Sequence, residues 1–288
     1  MSKSKKITRK TVSAKSKPSA KSKLSPFLRN FSLAVIALVV LTTSAWVLQA
    51  KAATVTNRAV IFGDSIFYES RAIVVAKFVP KKTWSLTTHA YPGVSLCDWL
   101  TTLQSDLVTI HPTVVVLETQ GNTFTECMKD QNGNLPSYGS QAWLDKYRAD
   151  LNTFVSAVSA TGAKTVLVNP LPSSTTPENN SVNSLINLIK EVAGSYSKVS
   201  ITSGPRNAVS KSGKFTWTKP CLASETVAMG CNAVGQIAVR NPDGLHLCPV
   251  DRSQYNFLNG CPSYSSGATR YAGSLTSATV NPPAPLVP

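Results

Sequence analysis

Five short apolar runs separated by four longer amphipathic stretches leave this chain few folds to choose from. The runs are Arg58–Phe62, Trp84–Thr88, Thr113–Glu118, Lys164–Val168 and Val199–Thr202. Between them lie Tyr68–Phe78, Leu96–Thr109, Gln141–Thr161 and Asn179–Tyr196. In the last stretch Val182, Leu185, Ile186, Ile189 and Val192–Ala193 recur at helical spacing, so one face of a helix is apolar. Continuous apolar runs of strand length need cover on both sides, which predicts parallel strands joined by crossover helices. The expected fold is α/β: a three-layer α/β/α sandwich around a central, mostly parallel sheet. One domain over residues 55–275 is long enough for a single substantial core. Chemistry in such a fold belongs at the carboxyl ends of the strands.

Charge is distributed very unevenly. The chain carries 29 Lys and Arg against 14 Asp and Glu, a formal +15. Ten of those bases, and no acid, lie in the first 30 residues. Once Lys51 is also set aside, the rest holds 18 bases against 14 acids. The high pI therefore describes a leader, residues 1–31, that has little to bury and is expected to be disordered and cytoplasmic. Aromatic residues are not interleaved with bases in the body, which excludes a nucleic-acid-binding surface. From Ser32 to Ala50 no residue is charged. Residues 32–52 thus read as a signal-peptide core or a single transmembrane anchor, and Ala50-Lys51-Ala52 suits a signal peptidase. Bases before the apolar run place everything after it outside the cell, secreted or membrane-anchored. Residues 276–288, rich in proline, read as a frayed tail.

All six cysteines fall beyond that apolar segment, and an even number in an exported chain reads as disulfides. Six cysteines allow 15 connectivities, and sequence does not choose among them. Cys221–Cys231 and Cys248–Cys261 would close short loops, and Cys97–Cys127 would tie two loops at one end of the sheet. With three histidines and no Cys-x-x-Cys, no metal site is expected, and no organic cofactor either.

Gly63-Asp64-Ser65 follows the first apolar run directly, giving the Ser65 hydroxyl a rigid and exposed support. A hydroxyl is a poor nucleophile without a base. His246 is the one histidine closely paired with an acid, since Asp243-Gly244-Leu245-His246 lets a short turn bring the carboxylate to one imidazole nitrogen. His89 and His111 read as structural. Asp64 reads as a partner of neighbouring backbone. The oxyanion of an acyl-transfer intermediate needs donors. The amides of Ser65 and Gly93 and a group from Gly121-Asn122-Thr123 are the candidates. The irregular 203–242 region, punctuated by glycine and proline, reads as a disulfide-pinned loop able to shape a cleft.

Taken in order, these fragments resemble the SGNH hydrolases, the GDSL-type esterases and lipases. Gly63-Asp64-Ser65 matches the first block, Gly93 the second, Gly121-Asn122 approximately the third, and Asp243-Gly244-Leu245-His246 the last. The chain is most similar to exported actinobacterial members with a basic leader and several cysteines. The resemblance implies a flavodoxin-like sheet, a Ser65–His246–Asp243 triad, and an oxyanion hole of the Ser65 amide, the Gly93 amide and the Asn122 side chain. The third block departs from the usual Gly-x-Asn by placing Thr123 at the asparagine position, so the Thr123 hydroxyl is the alternative donor. Hydrolysis of carboxylic O-acyl esters is the expected activity, on an O-acylated glycan, a lipid or a small ester, by a monomer. The same triad would serve O-acyl transfer to an envelope glycan, and an inactive envelope or binding protein could retain the fold.

Overall fold

The computed structural model describes residues 54–249, 260–261 and 264–286. Five strands form the central sheet: β1 (Asn57–Gly63), β2 (Trp84–Ala90), β3 (Val114–Glu118), β4 (Lys164–Val168) and β5 (Val199–Thr202). Their order across the sheet is β2-β1-β3-β4-β5, and every neighbouring pair is parallel. The central strands β1, β3 and β4 are apolar along most of their length because both of their faces are covered, whereas the edge strand β2 is only partly buried. On one face Val60, Phe62, Val115, Leu117 and Leu167 pack against α2 (Leu100–Thr109), α3 (Gln141–Ala160) and α4 (Thr176–Ala193). On the other, Ala59, Ile61, Val114, Val116, Val166 and Val168 pack against α1 (Ser65–Phe78) and α6 (Ser266–Val280). The short helix α5 (Gly204–Ala208) also lies against α6.

Differences from the sequence-based expectation have local causes. The α1 helix begins at Ser65, three residues before Tyr68, because the Asp64 carboxylate accepts the Ile66 amide and caps it. The stretch from Leu96 starts as a 3-10 turn, Leu96–Trp99, and becomes α2 at Leu100. On α4, Leu188 is buried and Ile186 only partly so. The larger difference is α6. Sequence reading assigned no element to it and drew a boundary at residue 275, yet the helix runs to Val280 with Ala268, Tyr271, Ala272 and Leu275 fully buried. Its small residues show no helical stripe, and they suit close packing on α1. The 203–242 region is partly ordered, holding α5 and a two-stranded antiparallel hairpin, β6 (Thr218–Pro220) and β7 (Gln236–Ala238).

Three disulfides are present: Cys97–Cys127, Cys221–Cys231 and Cys248–Cys261. Among the described residues no helix is long and apolar enough to cross a membrane. The expectation of a transmembrane anchor is corrected accordingly. The leader and the apolar segment 32–50 on which it was based lie outside the described residues.

Candidate active site

The strand β1 delivers Ser65 to the top of the sheet. At Gly63 a side chain would run into Phe67 and the Glu118 carboxyl, so glycine is what lets β1 pass this close to α1 and the end of β3. Ser65 then opens α1, and its hydroxyl lies 2.8 Å from Nε2 of His246, 181 residues away in sequence. The other imidazole nitrogen, Nδ1, is 2.7 Å from the Asp243 carboxylate. Ser65 and His246 are only 7% and 6% exposed, which shields the hydrogen-bonded chain from competing water.

The Asp243–His246 turn builds itself. One Asp243 oxygen accepts the amides of Leu245 and His246, at 2.9 and 3.0 Å, leaving the second oxygen for the imidazole. Burial raises the Asp243 pKa, but the His246 bond and these two amides outweigh it and hold the carboxyl well below its ordinary range. Two further groups tie the turn to the body. Glu69, on α1 one turn beyond Ser65, accepts the Leu247 amide at 2.5 Å and so joins the serine helix to the histidine turn. Arg240 donates to the Leu245 carbonyl at 2.9 Å while lying over the Phe215 ring. Burial, followed by repulsion from Arg206, lowers the Arg240 pKa to about 10, so its guanidinium stays charged at neutral pH.

A buried carboxyl pair, Asp64 and Glu118, lies next to Ser65. Asp64 accepts the Ile66 amide at 3.0 Å, the Gln120 amide at 2.7 Å and the Asn122 carboxamide at 3.1 Å. Glu118, at the end of β3, accepts the Asp64 amide. Burial, then the neighbouring Asp64 charge, pushes the Glu118 pKa well upward. Burial pushes the Asp64 carboxyl upward as well, against the opposing pull of the Gln120 and Ile66 amides. Sequence reading missed Glu118, Glu69 and Arg240. The visible signal for the first was an acid ending an otherwise wholly apolar strand.

The amides of Ser65 and Gly93 meet no protein acceptor among the described residues. Gly93 has φ +82°, which favours glycine, and a side chain there would meet open space. The Asn122 amide donates to the Val94 carbonyl at 2.9 Å and to Asp64 at 3.1 Å. It is therefore placed between the neighbours of Gly93 and Ser65. Thr123 is buried, with no hydrogen bond on its hydroxyl. His89 pairs with Asp106 at 2.6 Å and stacks on Phe62, and His111 occupies a left-handed turn at φ +49°. Neither reaches the serine.

A cleft of about 260 Å³ lies beside the loop after β3, with Leu245, the residue before His246, in its wall. It is lined by Asn122, Thr123, Phe124, Tyr138, Val182 and Leu245, among others, and by nothing from 203–242. Its walls come instead from the loop after β3, the start of α4 and the residue before His246.

No family model matches this chain, and no curated protein does. Solved structures do. LAE5, an α/β hydrolase enzyme from the metagenome of Lake Arreo, Spain, superposes with a TM-score of 0.51 at 15% identity, over 79% of this chain and 96% of its own. The acetyl xylan esterase AlAXEase aligns over 77% of this chain and 98% of its own, with a TM-score of 0.46 and 16% identity. At such identities the likeness to LAE5 is one of fold.

Proposed function

We propose that this chain is an exported serine ester hydrolase and a distant member of the SGNH hydrolases. The observation that carries this reading is the continuous hydrogen-bonded series from Ser65 through His246 to Asp243 at the carboxyl end of β1. Ser65 Oγ attacks the ester carbonyl as His246 Nε2 takes its proton. Asp243, held ionised, stabilises the imidazolium and fixes the tautomer that leaves Nε2 free to accept. The oxyanion lies against the Ser65 and Gly93 amides and the Asn122 carboxamide. His246 returns the proton to the departing alcohol. A water deprotonated by the same nitrogen then attacks the acyl-serine, and the carboxylic acid leaves Ser65 with its proton restored. Export is supported by the three disulfides, which need an oxidising compartment.

The test is turnover of p-nitrophenyl acetate and butyrate by the wild type and Ser65→Ala. The variant should fold normally and lose about 10⁴-fold or more in kcat. Equal rates from the two proteins would refute the serine mechanism.

A further inference from the structure

The polar side chains on the cleft wall are largely engaged by the protein itself. The Tyr138 hydroxyl donates to the Gln120 carbonyl at 3.1 Å. The Gln120 carboxamide is bonded at both ends, its nitrogen to Glu118 and its oxygen to the Leu171 amide. The Asn122 amide is held by Asp64 and Val94, and Ser173 donates to Glu178. Of the neutral side-chain donors lining the cleft, only the Thr123 hydroxyl has no partner. What the cleft presents is mostly carbon: Phe124, which is 74% exposed, the Tyr138 ring, Val182 and Leu245. The Glu178 carboxylate belongs to the same wall and repels an anion.

These observations separate two kinds of ester. A sugar ring would bring several hydroxyls out of water. The cleft offers them the Thr123 hydroxyl and the exposed Glu178 carboxylate and otherwise mostly carbon, so most of them would go unpaired. A hydrocarbon chain gives up no hydrogen bonds there and gains apolar contact. The cleft wall includes Leu245, the residue before His246, and Asn122, whose carboxamide bonds Asp64, the residue before Ser65. We propose that this cleft takes the unbranched apolar chain of the substrate, so that the substrate class is a neutral ester with a chain of several methylenes rather than an acetylated glycan. The proposal rests on the esterase reading above. Its shared chemistry, an apolar chain, can come from the acyl or the alcohol half of the ester.

Two homologous series test it and distinguish the halves: p-nitrophenyl esters from acetate to octanoate, and alkyl acetates from methyl to octyl. Acetylated xylo-oligosaccharide serves as the glycan comparison. In the series whose chain enters the cleft, kcat/KM should rise about three- to fourfold per methylene until the cleft is full. Phe124→Ala removes an exposed wall and should lower the octyl-to-acetyl (or octyl-to-methyl) ratio about tenfold in that series. Val182→Phe narrows the cleft and should move the optimum to shorter chains. Flat profiles in both series, fastest turnover of the glycan, or ratios unmoved by both variants would overturn the proposal while Ser65-dependent hydrolysis survives. Absence of any hydrolysis above the Ser65→Ala background would instead overturn the esterase reading, and this proposal with it.

Discussion

The Asn122 carboxamide bonds at once to Asp64 and to the Val94 carbonyl, the chain neighbours of Ser65 and Gly93. Both of its hydrogens are thus held beside those two residues, and in the proposed mechanism a developing oxyanion competes with the Val94 carbonyl for one of them. Asn122→Ala should therefore lower kcat for p-nitrophenyl butyrate about 100-fold or more, whereas Thr123→Val should stay within about tenfold. Steady-state kinetics on both variants measures this, and a reversed order would move the role to the Thr123 hydroxyl. Sequence could not decide between the two residues. The spacing of Gly121-Asn122-Thr123 is off the family pattern, and the direction of each side chain depends on how the loop leaves β3. That path is set by contacts far along the chain: Trp143 on α3 donates to the Gly121 carbonyl at 2.9 Å and Tyr147 to that of Asn122 at 3.0 Å.

At the scale of elements, α6 depends on a buried ion pair that no sequence pattern announced. Glu225, in the loop closed by Cys221–Cys231, receives Arg270 of α6 at 2.5 Å, together with the Ser266 hydroxyl and the Leu222 amide. Burial pushes its pKa up, but these three donors win and bring it down to about 2 from an ordinary 4.5. A depressed carboxyl stabilises the fold fully above its unfolded pKa and progressively less below it. This support, on the order of 3 kcal/mol, should thus be lost as pH falls from about 4.5 to about 2. Arg270→Met leaves the Glu225 carboxylate buried and unpaired, and should cost about 3–5 kcal/mol at neutral pH. Urea denaturation of the wild type and the variant at pH 7 and pH 3 measures both effects. The difference between the two proteins should shrink at the lower pH. The strands were legible because continuous apolar runs admit one arrangement. The α6 helix was not, because Ser, Gly, Thr and Ala become core residues only when another helix lies close enough to need small ones.

For the whole molecule, the three disulfides close loops around one end of the sheet and the α6 layer, and they leave no free cysteine among the described residues. Thiol titration of the native protein should find none, rising to six after reduction in denaturant, and reduction should lower the thermal midpoint. Reactive thiols in the native protein would argue against export. The sequence by itself determined the layered α/β class and the strand runs, and it singled out Ser65, His246 and Asp243, which the fold brings within hydrogen-bonding distance. Those depend on local hydrophobic period and on chemistry that few residue types can perform. Only the tertiary structure decided which side chains surround them. Glu118 under Asp64, Glu69 beneath Leu247 and the apolar walls of Phe124 and Val182 are contacts between segments far apart in sequence. A linear pattern records what each residue is able to do, and the packing of layers selects the neighbours with which it does it.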